Sequence, residues 1–138
     1  TLADALTRRG STVTRRETGA APGDAAIADA VARAAGQDAV VVTTMKAWTS
    51  AAQRSLVSAL QDTGKPVVVV ATRDPYDIAH LAQAPTYLAT YSYSPVAIEA
   101  AARVITGEVG PSGRLPVDIP AATDPDRVLF AFGHGLGY

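Results

Sequence analysis

At 138 residues, with 48% hydrophobic and 18% charged residues, the chain has the length and composition of one globular domain, able to bury roughly two thirds of the surface its unfolded form exposes. A net charge of −1, with twelve basic residues against thirteen acidic ones and no basic run longer than the pairs Arg8–Arg9 and Arg15–Arg16, gives nucleic acid no footing as a partner. Cysteine is absent, which removes disulfides and thiolate metal sites, and apolar runs such as residues 67–71 are strand-sized, far short of the roughly 20 residues that span a bilayer.

Residues 1–9 place Leu2, Ala5 and Leu6 at helical spacing and are followed by Gly10, a helix with a left-handed stop. Residues 11–17 carry Val13 between polar neighbours, the pattern of an edge strand. In residues 24–35 an apolar stripe of Ile27, Val31, Ala34 and Ala35 predicts a second helix ended by Gly36. Residues 38–43 and 66–71 are β-branched runs, the mark of central parallel strands covered on both faces. Between them, Ser50 and Gln53 match a capping box and Ala52, Leu56, Ala59 and Leu60 line one face until Gly64 and Pro66. Residues 87–91 predict a further strand, then a helix with Ser94 as N-cap and Pro95 at its first position, closed by Gly107. Residues 110–138 are rich in Gly and Pro and read as an irregular tail with one short strand at 117–119.

This alternation implies an α/β fold: a three-layer α/β/α sandwich on an open, mostly parallel sheet of flavodoxin-like arrangement, with the tail wrapped on its edge. No strand precedes the first helix, so a bare sheet edge, filled by upstream sequence or by self-association of the fragment, is also expected. The chain begins at Thr1 inside a helical pattern, without an initiator Met or a signal-like stretch, and sequence upstream is expected.

Open α/β sheets meet ligands at the carboxyl ends of their strands, which here means residues 44–49, 72–77 and 92–94. Those loops bring Lys46, Trp48, Arg73, Asp74, Tyr91 and Tyr93 to one rim, a mixture that suits a domain interface and also a sugar site. Arg73 and Asp74 can pair locally, Asp77 can cap the short helix that follows it, Trp48 suits a half-buried anchor, and Lys46 is most simply solvated. His80 and His134 stand too far apart for a metal spacing. Residues 110–113 miss the nucleophile elbow, and Gly133, Gly135 and Gly137 are followed by no helix that could hold a phosphate. Asp124 and Asp126 flank Pro125 in a turn pattern, and Asp118 alternates with Val117 and Ile119.

Two tail segments, PSGRLP at 111–116 and FGHGLGY at 132–138, resemble the paired motifs of glycoside hydrolase family 3 C-terminal domains. GKPVVVV at 64–70 resembles a strand of the same family, and RDPYDI at 73–78 with TYSYS at 90–94 resembles its β-N-acetylhexosaminidase branch. The resemblance implies a parent enzyme whose nucleophilic aspartate lies on an N-terminal (β/α)8 barrel, outside this chain. A retaining glycosidase needs two carboxyl groups roughly 5 Å apart, or a substitute acid. In the glucosidase branch the second comes from the C-terminal domain near the stretch matching residues 44–60, which here contains no Asp or Glu. In the hexosaminidase branch a barrel His with an Asp partner does that work.

The resemblance thus implies no catalytic residue, metal or cofactor in this chain. It implies a domain that packs on the barrel and shapes the rim of its site through Lys46, Trp48, Arg73, Asp74, Tyr91, Tyr93 or His134. The parent would release terminal β-linked N-acetylglucosamine with retention, in a secreted or cell-envelope setting rather than the cytoplasm. A β-glucosidase parent and a self-standing flavodoxin-like binding module are the alternatives.

Overall fold

Four consecutive valines cannot all turn to one face of a strand, so residues 67–70 need cover on both. In the computed structural model, which describes residues 1–81 and 83–137, they form the middle of a three-stranded parallel sheet. Its strands β1 (Val40–Thr44), β2 (Val67–Ala71) and β3 (Thr86–Ala89) lie in the order β1-β2-β3, with Val42 opposite Val69 and Val69 opposite Tyr87.

Alternate side chains then serve opposite layers. Val42, Val67 and Val69 pack with Ala34 of α2 (Asp24–Ala34) and with Leu56, Val57 and Leu60 of α3 (Ala51–Gln61). Val70, with the half-buried Val41 and Val68, packs instead with Leu2, Ala5 and Leu6 of α1 (Leu2–Thr7) and with Ala101 and Ala102 of α4 (Pro95–Ile105). Val69 and Val70 retain no exposed surface, and burial of that kind contributes on the order of 1.5–3 kcal/mol per side chain. The helix, sheet and helix layers are those implied by the sequence.

The helix ends follow their local chemistry. The Thr1 hydroxyl accepts from the Asp4 amide, and Gly10 takes the left-handed φ of +89° that turns the chain away after α1. Ser94 accepts from the Ala97 amide ahead of Pro95. On the outer surface Arg8 and Arg9 both reach Glu99 of α4, at 2.7 and 2.6 Å, and hold its carboxyl below the ordinary carboxylate pKa. That network sets how α1 lies against α4.

Two expectations are corrected. Residues 11–17 form no strand: they run exposed, with Arg16 drawn to Asp29 of α2 at 2.6 Å and Arg15 paired with Glu17. The segment has one apolar residue to bury, too few to hold a register. In β1 the even positions face β2, since the Val40 amide donates to Pro66 and the Thr72 amide to the Thr44 carbonyl. The outward backbone groups of Val41 and Thr43 have no backbone partner in residues 11–17.

The tail is also more ordered than its composition implies. Its strand, expected at 117–119, starts only at Ile119 as β4 (Ile119–Ala121), and the segment around Asp124 and Asp126, expected as a turn, opens an antiparallel β5 (Asp124–Phe130). An edge strand accommodates Pro125, whose missing N–H takes nothing from the ladder. Ile119 is fully buried, and β4 lies against the 3-10 turn Pro75–His80.

The two tail motifs clasp each other. The Leu115 amide donates to the His134 carbonyl and the Gly133 amide to the Leu115 carbonyl, both at 2.8 Å, while Asp118 accepts from the Phe132 amide at 2.6 Å. Gly135 passes so close that a Cβ there would collide with the Gly113 carbonyl oxygen, whereas a Cβ on Gly113 would meet no atom within 4 Å. Tyr138, the last residue of the second motif, lies outside the described residues. Gly135→Ala is expected to destabilise the protein by about 1–3 kcal/mol through this collision, and Gly113→Ala to stay within about 0.5 kcal/mol; urea denaturation of both variants checks the difference.

Candidate functional site

The carboxyl ends of the three strands are closed by hydroxyl residues, and these begin the rim. The Thr72 amide and hydroxyl both donate to the Thr44 carbonyl at 2.9 Å, joining the ends of β1 and β2. The Thr90 amide donates to the Ala71 carbonyl at 3.0 Å, and its hydroxyl reaches the Ser92 carbonyl at 2.7 Å, joining β3 to β2.

Asp77 is the centre of this construction and corrects the expectation of a helix cap. It sits inside the 3-10 turn Pro75–His80 with no exposed surface. Its Oδ2 accepts from the Thr44 hydroxyl at 2.6 Å, and its Oδ1 from the Trp48 amide at 3.1 Å. The carboxylate therefore ties the loop after β2 to the loop after β1. Burial pushes its pKa up, the bonds from Thr44 and Trp48 oppose the rise, and the neighbouring charge of Asp74 adds to it.

The remaining rim residues are held by side chains whose roles differ from, or were absent from, the expectations of the sequence. Gln53 does not complete the capping box: its amide accepts from the Met45 N–H and donates to the carbonyls of Met45 and Ala20, while Ser50 alone caps α3. Arg54 donates through Nη1 to the carbonyls of Ala47 and Trp48. Burial pushes the Tyr87 phenol well up, with the charge of Asp77 adding to it, so it stays a donor; it holds the Pro75 carbonyl at 3.2 Å. Thr44 and Thr72 carried a legible signal, as polar residues at the ends of β-branched runs, with Ala71 between Val70 and Thr72. Tyr87 carried none, since its partner is a main-chain oxygen.

The structure brings six of the expected residues to this rim. Lys46 and Tyr91 have left-handed φ angles of 57° and 56°, a conformation that non-glycine residues adopt only when their surroundings impose it. Trp48 is 40% exposed and meets Tyr76 edge to face, with ring centroids 6.3 Å apart. Tyr93 is 70% exposed, and Arg73 is exposed and forms no ion pair with Asp74, which corrects the expected local pair. His134 is elsewhere, on the tail clasp, with its ring against Phe130 at 4.9 Å.

A cavity of about 270 Å³ lies at the end of β1, between Thr18–Ala20, Thr43 and Met45. Much of its polar lining is already engaged, since the Thr44 and Thr72 hydroxyls and the Gln53 amide make the bonds above. Among the described residues no three His, Cys, Asp or Glu converge to hold a metal, and no helix is long and apolar enough to cross a membrane.

Comparison with known proteins gives one consistent family. The profile of the Glycosyl hydrolase family 3 C-terminal domain matches residues 1–138. A putative beta-xylosidase and a beta-xylosidase of Formosa agariphila are 34% and 33% identical over 109 and 111 residues, 63% and 62% of this chain. The matched regions are 14% and 15% of those proteins, so the chain spans about one seventh of the curated relatives it matches.

Among solved structures, a family 3 beta-N-acetylglucosaminidase from Paenibacillus sp. str. FPU-7 superposes with a TM-score of 0.75 at 30% identity, covering 79% of this chain and 21% of that one. A fungal multi-domain family 3 beta-N-acetylglucosaminidase gives 0.70 at 31%, covering 93% and 14%. A beta-glucosidase from Kluyveromyces marxianus in complex with glucose gives 0.63 at 21%, a likeness of fold, covering 83% and 19%.

Removing the Asp77 side chain leaves the Thr44 hydroxyl and the Trp48 amide without acceptors, so Asp77→Ala is expected to lose about 2–4 kcal/mol, whereas Asp77→Asn keeps the Trp48 bond through its amide oxygen, donates its NH2 to a rotated Thr44 hydroxyl, and loses far less. Because the folded pKa is raised, this position stabilises the wild type fully below the ordinary 3.8 and less as pH rises through the raised value. Urea midpoints should therefore rise on acidification from neutral pH towards the ordinary value of 3.8 more in the wild type than in Asp77→Asn.

Proposed function

Since this chain belongs to the glycosyl hydrolase family 3 C-terminal domains, we propose that it is the non-catalytic C-terminal domain of a retaining β-N-acetylhexosaminidase, packed on an N-terminal (β/α)8 barrel that carries the reacting groups. The observation that carries this reading is the state of the acids. Residues 44–60 contain none, and Asp77, the buried carboxylate beneath the rim, is sealed from solvent with both oxygens bonded. Proton transfer requires a group within hydrogen-bond reach of the glycosidic oxygen, and a carboxylate walled in by Thr44 and the 47–48 turn cannot approach it. The tail acids are unsuited for different reasons: Asp118 holds the Phe132 amide, and Asp124 accepts from the Asp126 amide on an exposed edge strand.

On this reading the rim positions rather than reacts. Trp48, Tyr91 and Tyr93 offer apolar area, and Lys46, Arg73 and Asp74 offer polar contacts, along one edge against which the barrel and its sugar can rest. The N-acetylglucosaminide preference is supported by the two solved family relatives that share it, at 30% and 31% identity. A second reading, a parent that cleaves β-xylosides or β-glucosides, is favoured by the curated relatives from Formosa agariphila and by the Kluyveromyces marxianus fold.

Chromogenic N-acetylglucosaminide, xyloside and glucoside given to the full parent protein decide between the two, with fastest turnover expected on the first. Asp118→Asn, Asp124→Asn and Asp126→Asn in that protein are each expected to leave turnover within about tenfold. A folded variant that falls by about 10²–10⁴ would identify a proton donor in this chain and refute the non-catalytic reading.

A further inference from the structure

One carboxylate on the rim is left without a partner. Asp74 occupies the N-cap position of the turn Pro75–His80, yet its side chain accepts no bond from that turn, and its Oδ1 is buried with no hydrogen-bond partner. Its charge bears on both Asp77 and Tyr87. None of the ion pairs among the described residues includes Asp74 or Asp77. Arg54, the guanidinium that holds the 47–48 turn, directs Nη1 to main-chain carbonyls. Two acidic groups thus lie beneath an aromatic edge with no basic group among the described residues in ion-pair contact with either, and folded proteins seldom leave a buried carboxylate oxygen in that state.

The same rim exposes Met45, Trp48, Tyr91 and Tyr93, large side chains of the kind that fill the centre of a protein interface. The geometry points to a docking surface for one basic side chain, an arginine or lysine presented by the barrel of the same polypeptide, whose charged head bonds to Asp74 while its stem and plane lie along Trp48 and its neighbours. This rests on the reading that the rim faces the barrel. Arginine suits such a place, because its planar head can bond a carboxylate through two N–H groups and also lie against an aromatic ring. A neutral sugar could donate hydroxyls to Asp74, but it would bring no charge to balance the acids. The matched region is about one seventh of the curated relatives, so most of what such a domain can touch is the rest of its own chain.

The test uses the full parent protein, wild type and Asp74→Asn, with amide hydrogen exchange and the thermal unfolding midpoint as readouts. Asparagine matches aspartate in shape, and since Asp74 makes no side-chain bond within the described residues, the substitution breaks nothing inside the domain. Exchange in residues 67–71, unchanged between the two proteins, verifies that the sheet is intact. The rim amides of Arg73, Asp74, Tyr91, Ser92 and Tyr93 are expected to be protected in the wild type and to exchange roughly tenfold faster or more in Asp74→Asn, with a lowered midpoint, as fits the loss of a charge-assisted buried bond. Equal protection and equal midpoints would show a rim that docks without a cation, overturning the inference while leaving the proposed function standing. Free exchange of the wild-type rim would remove both. Protection that appears only in a sedimenting dimer would assign the surface to a second copy and overturn the inference as well.

Discussion

The bonds to Asp77 fix the geometry on which the rim loops after β1 and β2 depend. A carboxylate with no contact to water is an expensive group to bury, and it is tolerated here because donors from β1 and from the turn after it meet both of its oxygens. In return the loops after β1 and β2 become one body. Trp48 is held through its amide by Asp77 and through its carbonyl by Arg54, so its ring is presented from a fixed main chain. The left-handed backbone at Lys46, immediately before this turn, persists because the surrounding bonds leave it no alternative.

This construction separates two tasks that the residue types alone leave merged. Acids and aromatics at the carboxyl ends of parallel strands suit either chemistry or adhesion. The acid that is best held, Asp77, is the one that nothing outside can reach, while the half-buried Asp74 stands among the aromatic and long side chains of the rim. The family match and the superpositions agree on the fold while dividing over the sugar, with glucosaminidases, a glucosidase and xylosidases all among the relatives. Such a spread is what a shared positioning domain would produce if substrate choice were made mainly by another part of the polypeptide.

Periodicity made the layers legible. The valine run of 67–70 demands cover on both faces wherever it occurs, and Ser94 with Pro95 starts a helix by local chemistry alone. The misreadings came where a tertiary partner outbid a local one. Asp77 has the spacing of a cap, but Thr44, thirty-three residues away, lies closer than any amide of its own turn. Gln53 has the type and position of a capping-box residue, but the main chain of Met45 claims its amide. Asp124 and Asp126 around Pro125 read as a turn because an edge strand tolerates what a central strand would reject. Residues 11–17 failed in the opposite direction, since strand propensity without apolar area to bury is not enough to recruit them to β1.

The pairing of β1 and β3 on one side only has a directional result. Both flanking strands are anchored by side chains at their carboxyl ends: Thr44 to Asp77 and Thr72 to the Thr44 carbonyl for one, Thr90 to the Ala71 carbonyl for the other. At the opposite end the fastening is lighter: Val40 relies on its main-chain bond to Pro66, and the Gln61 side chain holds the Gln83 carbonyl ahead of β3. Thermal breathing of the sheet should then behave like a hinged fan, its leaves parting at the amino-terminal side while the pivot, and with it the aromatic edge, stays still.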